Sequence, residues 1–325
     1  MKILFVDHAS HLKTHSADFF LDILRESFDV DVFYYEKTYG FSIPQEKIDK
    51  SDLVIFWEFL YNRHSLGIPG KRCVFVPMYD NEWGSKWQWK RIAASGMSVI
   101  SFCDAITRHA KKYGVKDILD LRYFPNPADF PQAYGEPKRV FLWERGEISL
   151  SSVKSLLPPS DGYVFDVKKA NEFLPKEEYL NRLSKCEIVI APRMKEGIGM
   201  AFLEAMAMGK CIVAHDDATM NEYIQDGKTG VLRDFNNPTK LATASDIANV
   251  RDNVKSAVEA AFELWQKESA TIVPFIEKAA NLAPIQTGSP IDMFRYMLFL
   301  CEGALYRARE STSKQQCQVK QRTTT

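Results

Sequence analysis

Short runs of β-branched and aromatic residues alternate along this chain with helical patterns, an order that fits parallel sheets built from βαβ units. The first series places strands at 2–6, 30–35, 53–57, 73–77, 98–102 and 118–123, with helices at 16–27 and 104–113. The stretch "YFPNPADFPQAYGEPKR" (123–139) then brings four prolines and no periodicity, which reads as a linker. A second series follows, with strands at 140–143, 162–167, 187–191, 211–215 and 230–232 between helices at 149–157, 175–185 and 199–208. Two long helices, 246–268 and 290–310, come last. The pattern predicts an α/β chain of two doubly wound domains joined by a hinge, residues 1–130 and 131–287, with a flexible polar tail at 311–325.

At 325 residues the chain is long enough for two cores. Lys+Arg and Asp+Glu balance at 42 each, so no net field attracts nucleic acid. The opening "MKILFVDHAS" leads from a short apolar run straight into polar sequence, unlike a signal peptide. No apolar stretch approaches the roughly 20 residues of a membrane span. A soluble chain, at most lying on a membrane, is expected. The six cysteines form no C-x-x-C pair, and Cys186 and Cys211 lie in or beside apolar runs, which fits a reduced, cytoplasmic setting.

Residues 192–210 read "PRMKEGIGMAFLEAMAMGK". Glu204 falls in an otherwise apolar helical run, where a carboxylate needs donors because desolvation is costly. The segment reads strand, glycine-containing loop, helix, so a ligand would lie beyond the strand's carboxyl end, facing the helix N-terminus. Gly197 and Gly199 let the backbone approach closely and offer amides to a phosphate. Glu204 would then accept from the vicinal hydroxyls of a nucleotide's ribose. On spacing alone, a core helix whose glutamate pairs with a Lys or Arg elsewhere fits as well.

The segment 196–232, "EGIGMAFLEAMAMGKCIVAHDDATMNEYIQDGKTGVL", resembles the donor-binding segment of retaining glycosyltransferases with the GT-B fold, the family 4-like group also called glycosyl transferases group 1. The family's E-x7-E motif falls on Glu196 and Glu204, its "EAMA-G-P-V-A" run on "EAMAMGKCIVA", and its "E-I-DG-TG-L" signature on "EYIQDGKTGVL". The resemblance implies a GT-B fold of two Rossmann-like domains facing across a cleft. The second would hold the nucleotide sugar and the first the acceptor, with the helix at about 288–310 crossing back onto the first. Glu204 would hold the ribose and Glu196 the hydroxyls of the transferred sugar, while amides of Ile198, Gly199 and Met200 approach the diphosphate. Arg145 in "VFLWERGEISLSS" matches the family's diphosphate-clamping arginine, and a guanidinium fork suits phosphate oxygens. The family's lysine six residues later is Ser151 here, leaving Ser149, Ser151, Ser152 or Lys195 to compensate. Tyr79 stands where family members often carry histidine, so Asp80 beside it, and Glu58, are the cleft carboxylates expected on the acceptor side; each fits equally a loop residue in water.

The implied activity is retaining, metal-independent transfer of a hexose from a nucleotide-diphosphate sugar, UDP-glucose first, to a saccharide or lipid-linked acceptor in cell-surface polysaccharide or glycolipid synthesis. Glu196, Arg145 and Asp80 are the expected catalytic residues. An inverting or epimerase-type enzyme on the same fold, and a sugar-nucleotide-binding scaffold that has lost catalysis, stay open. His8, His11 and His15 have metal-like spacing, but their loop falls at the expected cleft mouth, where acceptor-binding groups belong; no metal is expected. "DVD" (29–31) opens a strand. In "EWGSKWQWKRI" one of Trp83, Trp87 and Trp89 is expected to line the acceptor side, core packing or a membrane interface being the alternatives. The helix at 292–310 is too charged to span a bilayer, and peripheral membrane contact is the alternative to packing on the first domain.

Overall fold

The computed structural model describes residues 1–36, 42–60, 67–68, 70–81, 86–157, 162–169, 171–172, 174–237 and 242–282. In the first domain β1 (Lys2–His8), α1 (His11–Thr14), α2 (Asp18–Ser27), β2 (Asp29–Tyr35), α3 (Gln45–Lys50) and β3 (Leu53–Glu58) are followed by β4 (Arg72–Pro77), α4 (Lys86–Ser95), β5 (Ser98–Ser101), α5 (Asp104–Lys112) and β6 (Ile118–Asp120). The six strands run parallel in the order β2-β1-β3-β4-β5-β6. Leu53 to Trp57 are buried without alternation, because helices cover both faces of a parallel sheet.

The second domain contains β7 (Glu136–Glu144), α6 (Leu150–Lys154), β8 (Val164–Lys169), α7 (Lys176–Ser184), β9 (Cys186–Ile190), α8 (Met200–Ala207), β10 (Cys211–His215), α9 (Met220–Tyr223) and β11 (Val231–Arg233). Its strands are parallel in the order β11-β10-β9-β7-β8. Each sheet reverses its winding between its first and third strands, β1/β3 and β7/β9. The crevice outside the carboxyl ends at such a point is where doubly wound sheets bind ligands.

The chain leaves the second domain earlier than 131–287 predicts. α10 (Ala244–Ser269) starts with a Thr243–Asp246 capping box and buries Ile247, Val250, Val254 and Val258. Its far end reaches the first domain, where Trp265 packs against Tyr123 and Phe19 with ring centroids at 5.2 and 5.8 Å. α11 (Ile272–Asn281) then packs on α2 and β4, and Arg72 Nε donates to Leu282 O at 2.7 Å. By its contacts α11 belongs with the first domain. Pro274 looks like a helix breaker in sequence, yet it sits in the first turn, where a missing N–H costs nothing. The expected helix at 288–310 and tail at 311–325 lie outside the described residues.

The proline-rich stretch is likewise less free than a linker. β7 starts at Glu136, Gln132 Nε2 donates to Ala207 O at 2.9 Å, and buried Lys210 donates to Ala133 O and Ser184 O. Among the described residues no helix is long and apolar enough to cross a membrane.

Candidate active site

The loop between β9 and α8 lies at the second domain's switch point. Gly199 takes φ +86° at the helix start, and a Cβ there would collide with the Phe202 ring. At Gly197 a Cβ would lie 2.9 Å from Met78 Cβ and 3.0 Å from Asp80 Oδ1, so the close approach made here is to the first domain. Glu196 is buried and its Oε1 has no partner among the described residues. Burial pushes its pKa up to about 7; Asp80 adds to the rise, while Arg193 and Arg145 oppose it. Glu204 is 7% exposed, and its Oε1 accepts from Lys176 Nζ, whose own side chain is half exposed. The buried glutamate thus has a lysine donor from α7.

A basic and aromatic wall stands beside these carboxylates. Arg145, exposed at the end of β7, holds its guanidinium 4.8 Å from the Trp143 ring centre, and Lys168 Nζ from β8 lies 4.0 Å from the same ring. Lys168 is 5% exposed, and burial lowers its pKa. Trp143 meets Tyr179 edge-on at 6.0 Å, and Lys176 Nζ is 5.7 Å from the Tyr179 ring. Of the residues expected to replace the missing lysine, Ser149, Ser151 and Ser152 bond one another at the start of α6. Lys195 is exposed, 5.9 Å from the Tyr79 ring on the first-domain side. Sequence reasoning missed Lys168 and Lys176; the signal for the former was the paired lysines ending β8.

Arg193, also missed, joins the two domains. Its NH1 donates to Asp80 Oδ2 at 2.5 Å and its Nε to Glu147 Oε1 at 3.4 Å. Asp80 is raised in pKa by burial against the pull of Arg193, and its Oδ1 is unpartnered among the described residues. Glu58, at the end of β3, has φ +65° and accepts from Asn81 Nδ2 at 2.9 Å. His11 links Glu58 Oε2 at 3.2 Å to the buried Asp7 Oδ1 at 2.6 Å. Burial alone would lower the His11 pKa, but the two carboxylates hold it at about 10, so the ring is an imidazolium at neutral pH.

His8 and His15 do not join that cluster: His8 bonds Ser10 and Glu36 O, and His15 bonds Asp18. "DVD" opens β2, as expected. Trp89 is core, packed on Phe75 and His109. Trp87 is 45% exposed between Lys86 and Lys90, each 5.3 Å from its ring, and Trp83 lies outside the described residues.

Residues 169–256, which hold the loop and both glutamates, match the family described as glycosyl transferases group 1. Alpha-maltose-1-phosphate synthase of Mycolicibacterium smegmatis is 30% identical over 135 residues, 41% of this chain and 32% of that protein. A glycosyltransferase from Rickettsia africae has a TM-score of 0.60 at 12% identity, covering 86% of this chain and 99% of that one. An Anabaena protein in complex with UDP has a TM-score of 0.51 at 14% identity, covering 86% and 100%. The matched stretches span 15 to 32% of the length of the curated relatives. The fold is the two-domain GT-B arrangement. The similarity to the group 1 glycosyltransferases lies in residues 169–256, within and just beyond the second domain.

Proposed function

We propose that this chain is a retaining glycosyltransferase that moves a hexose from a nucleotide-diphosphate sugar to a saccharide or lipid-linked acceptor. The observation that carries the reading is the placement of Glu196 and Glu204 on either side of a glycine loop at the β7/β9 switch point, beside Arg145 and facing Asp80. The ribose hydroxyls would take Glu204 as Lys176 turns outward. Arg145, Lys168 and the loop amides would stabilise charge on the leaving diphosphate without a metal ion. Lys168 would supply the cation that Ser151 lacks. Retention follows the group that the 196–232 segment resembles: the departing phosphate takes the acceptor's proton, and no protein nucleophile is needed. UDP-glucose is the first donor to test, a choice supported by the UDP complex of the Anabaena neighbour. Cell-surface polysaccharide or glycolipid is the product class. Cys73, Cys103, Cys186 and Cys211 are buried free thiols, which supports a reduced, cytoplasmic setting.

A thermal-shift screen of nucleotide sugars tests the binding step, because a ligand of the native state raises Tm. Release of UDP from the stabilising donor, abolished in Glu196→Ala, supports catalysis. Binding with no turnover on any acceptor supports the scaffold reading, which Ser151 in the lysine position favours.

A further inference from the structure

Thr219 is fully buried with φ +71° and ψ −67°, a strained γ-turn conformation that a β-branched residue rarely adopts. Its hydroxyl points at the loop already described, donating to Glu196 O at 2.8 Å and lying 3.3 Å from Gly197 O. The residues around it reach the other domain. Asp217 Oδ1 accepts from Tyr79 OH at 3.1 Å. Glu222 Oε2 accepts from Asp104 N at 2.6 Å and from Arg122 NH2 at 2.8 Å, while its Oε1 accepts from Ala105 N at 3.2 Å. One second-domain carboxylate therefore caps the first turn of α5 in the first domain. Tyr223 packs its ring 6.0 Å from Phe202, the residue that fills the space above Gly199.

We propose that residues 217–223 form a strut that sets the Glu196–Gly199 loop by reference to the first domain, with Thr219 as a positioning residue and Glu222 as the anchor. The loop's Glu196 carbonyl is held from behind by the Thr219 hydroxyl. The Thr219 backbone stays strained because both ends of the segment are fixed, by Asp217 on Tyr79 and by Glu222 on α5. Domain alignment and loop geometry are then one mechanical unit. The kinetic consequence rests on the glycosyl-transfer reading above; the mechanical coupling does not.

The test uses the full chain and three variants, Thr219→Val, Thr219→Ser and Glu222→Gln. Hydrogen–deuterium exchange is followed in peptides covering 196–202 and 104–106, and donor-dependent UDP release is measured with UDP-glucose. Thr219→Val should speed exchange at 196–202 by about tenfold and lower kcat by about ten- to a hundredfold, whereas Thr219→Ser should restore both. Glu222→Gln should speed exchange at 104–106 and also, several-fold, at the distant 196–202. Confinement of the Glu222→Gln effect to 104–106 overturns the strut, and so does unchanged exchange at 196–202 in Thr219→Val. Should Thr219→Val not fold, the Glu222→Gln pattern decides alone. If the wild-type chain releases no UDP from any nucleotide sugar, the proposed function falls and the exchange results still decide the coupling.

Discussion

Replacing Glu204 by glutamine keeps the side chain's volume while removing its charge, which separates ribose recognition from packing. A hydrogen bond to a charged group contributes about 1.5–3 kcal/mol, against about 0.5–1.5 kcal/mol for a neutral one. Glutamine keeps one acceptor oxygen, so losing the charge and one acceptor should cost about 2–3 kcal/mol of binding. Freeing Glu204 from Lys176 before binding offsets only about 0.2–1 kcal/mol, because the lysine side chain is half exposed. The net expectation is a nucleotide-diphosphate Kd raised about ten- to a hundredfold, read by isothermal calorimetry with UDP. Lys176→Met provides the counterpart. It removes the competitor for Glu204, so it should tighten UDP binding while lowering Tm, since a buried carboxylate loses its partner. If Lys176→Met lowers Tm and leaves UDP affinity unchanged, and Glu204→Gln also binds UDP normally, Glu204 is a core residue paired with lysine and the ribose assignment is wrong.

Other perturbations probe the rest of the cleft. Lys168→Met should weaken UDP about tenfold and leave uridine unaffected, since a cation on the diphosphate matters only when phosphates are present; equal weakening of both would place Lys168 away from the phosphates. Arg193→Met removes the cation between half-buried Asp80 and exposed Glu147 and should lower unfolding free energy by about 2 kcal/mol in urea titrations. No change would make that interdomain pair incidental. The His11 pKa rises from 6.5 unfolded to about 10 folded, so the stability it contributes is fully present below pH 6.5 and lost as pH rises through 10. The wild-type minus His11→Asn stability difference should therefore be largest just below pH 6.5, while Asp7 and Glu58 are ionised, and shrink toward pH 10; a difference growing from pH 6.5 to 10 would contradict the imidazolium assignment.

The parallel strands were legible because burial on both faces leaves β-branched runs such as Leu53–Trp57 with no other role. Glu204 stood out because a carboxylate in an apolar helix demands explanation, and Glu196 through the E-x7-E spacing of the resembled family. Their partners did not stand out. Lys176 precedes Glu204 by 28 positions and Arg193 reaches an aspartate 113 positions away, and such pairings come from the fold, not from local periodicity. Glu222 and Thr219 were hidden for a different reason. One looked like a motif letter and the other like a helix-flanking threonine, while the features that matter, a cross-domain cap and a positive φ, exist only once both domains are placed. α11 escaped notice because Pro274 masked a short apolar face of Ile272, Ile276 and Ala279.

A crystal grown with UDP-glucose examines the donor-site assignment most directly. Density should lie between the end of β7 and the start of α8, with the ribose on Glu204, the diphosphate by Arg145 and the hexose at Glu196. Nucleotide bound anywhere else, or with Glu204 still paired to Lys176 beneath it, would contradict the assignment.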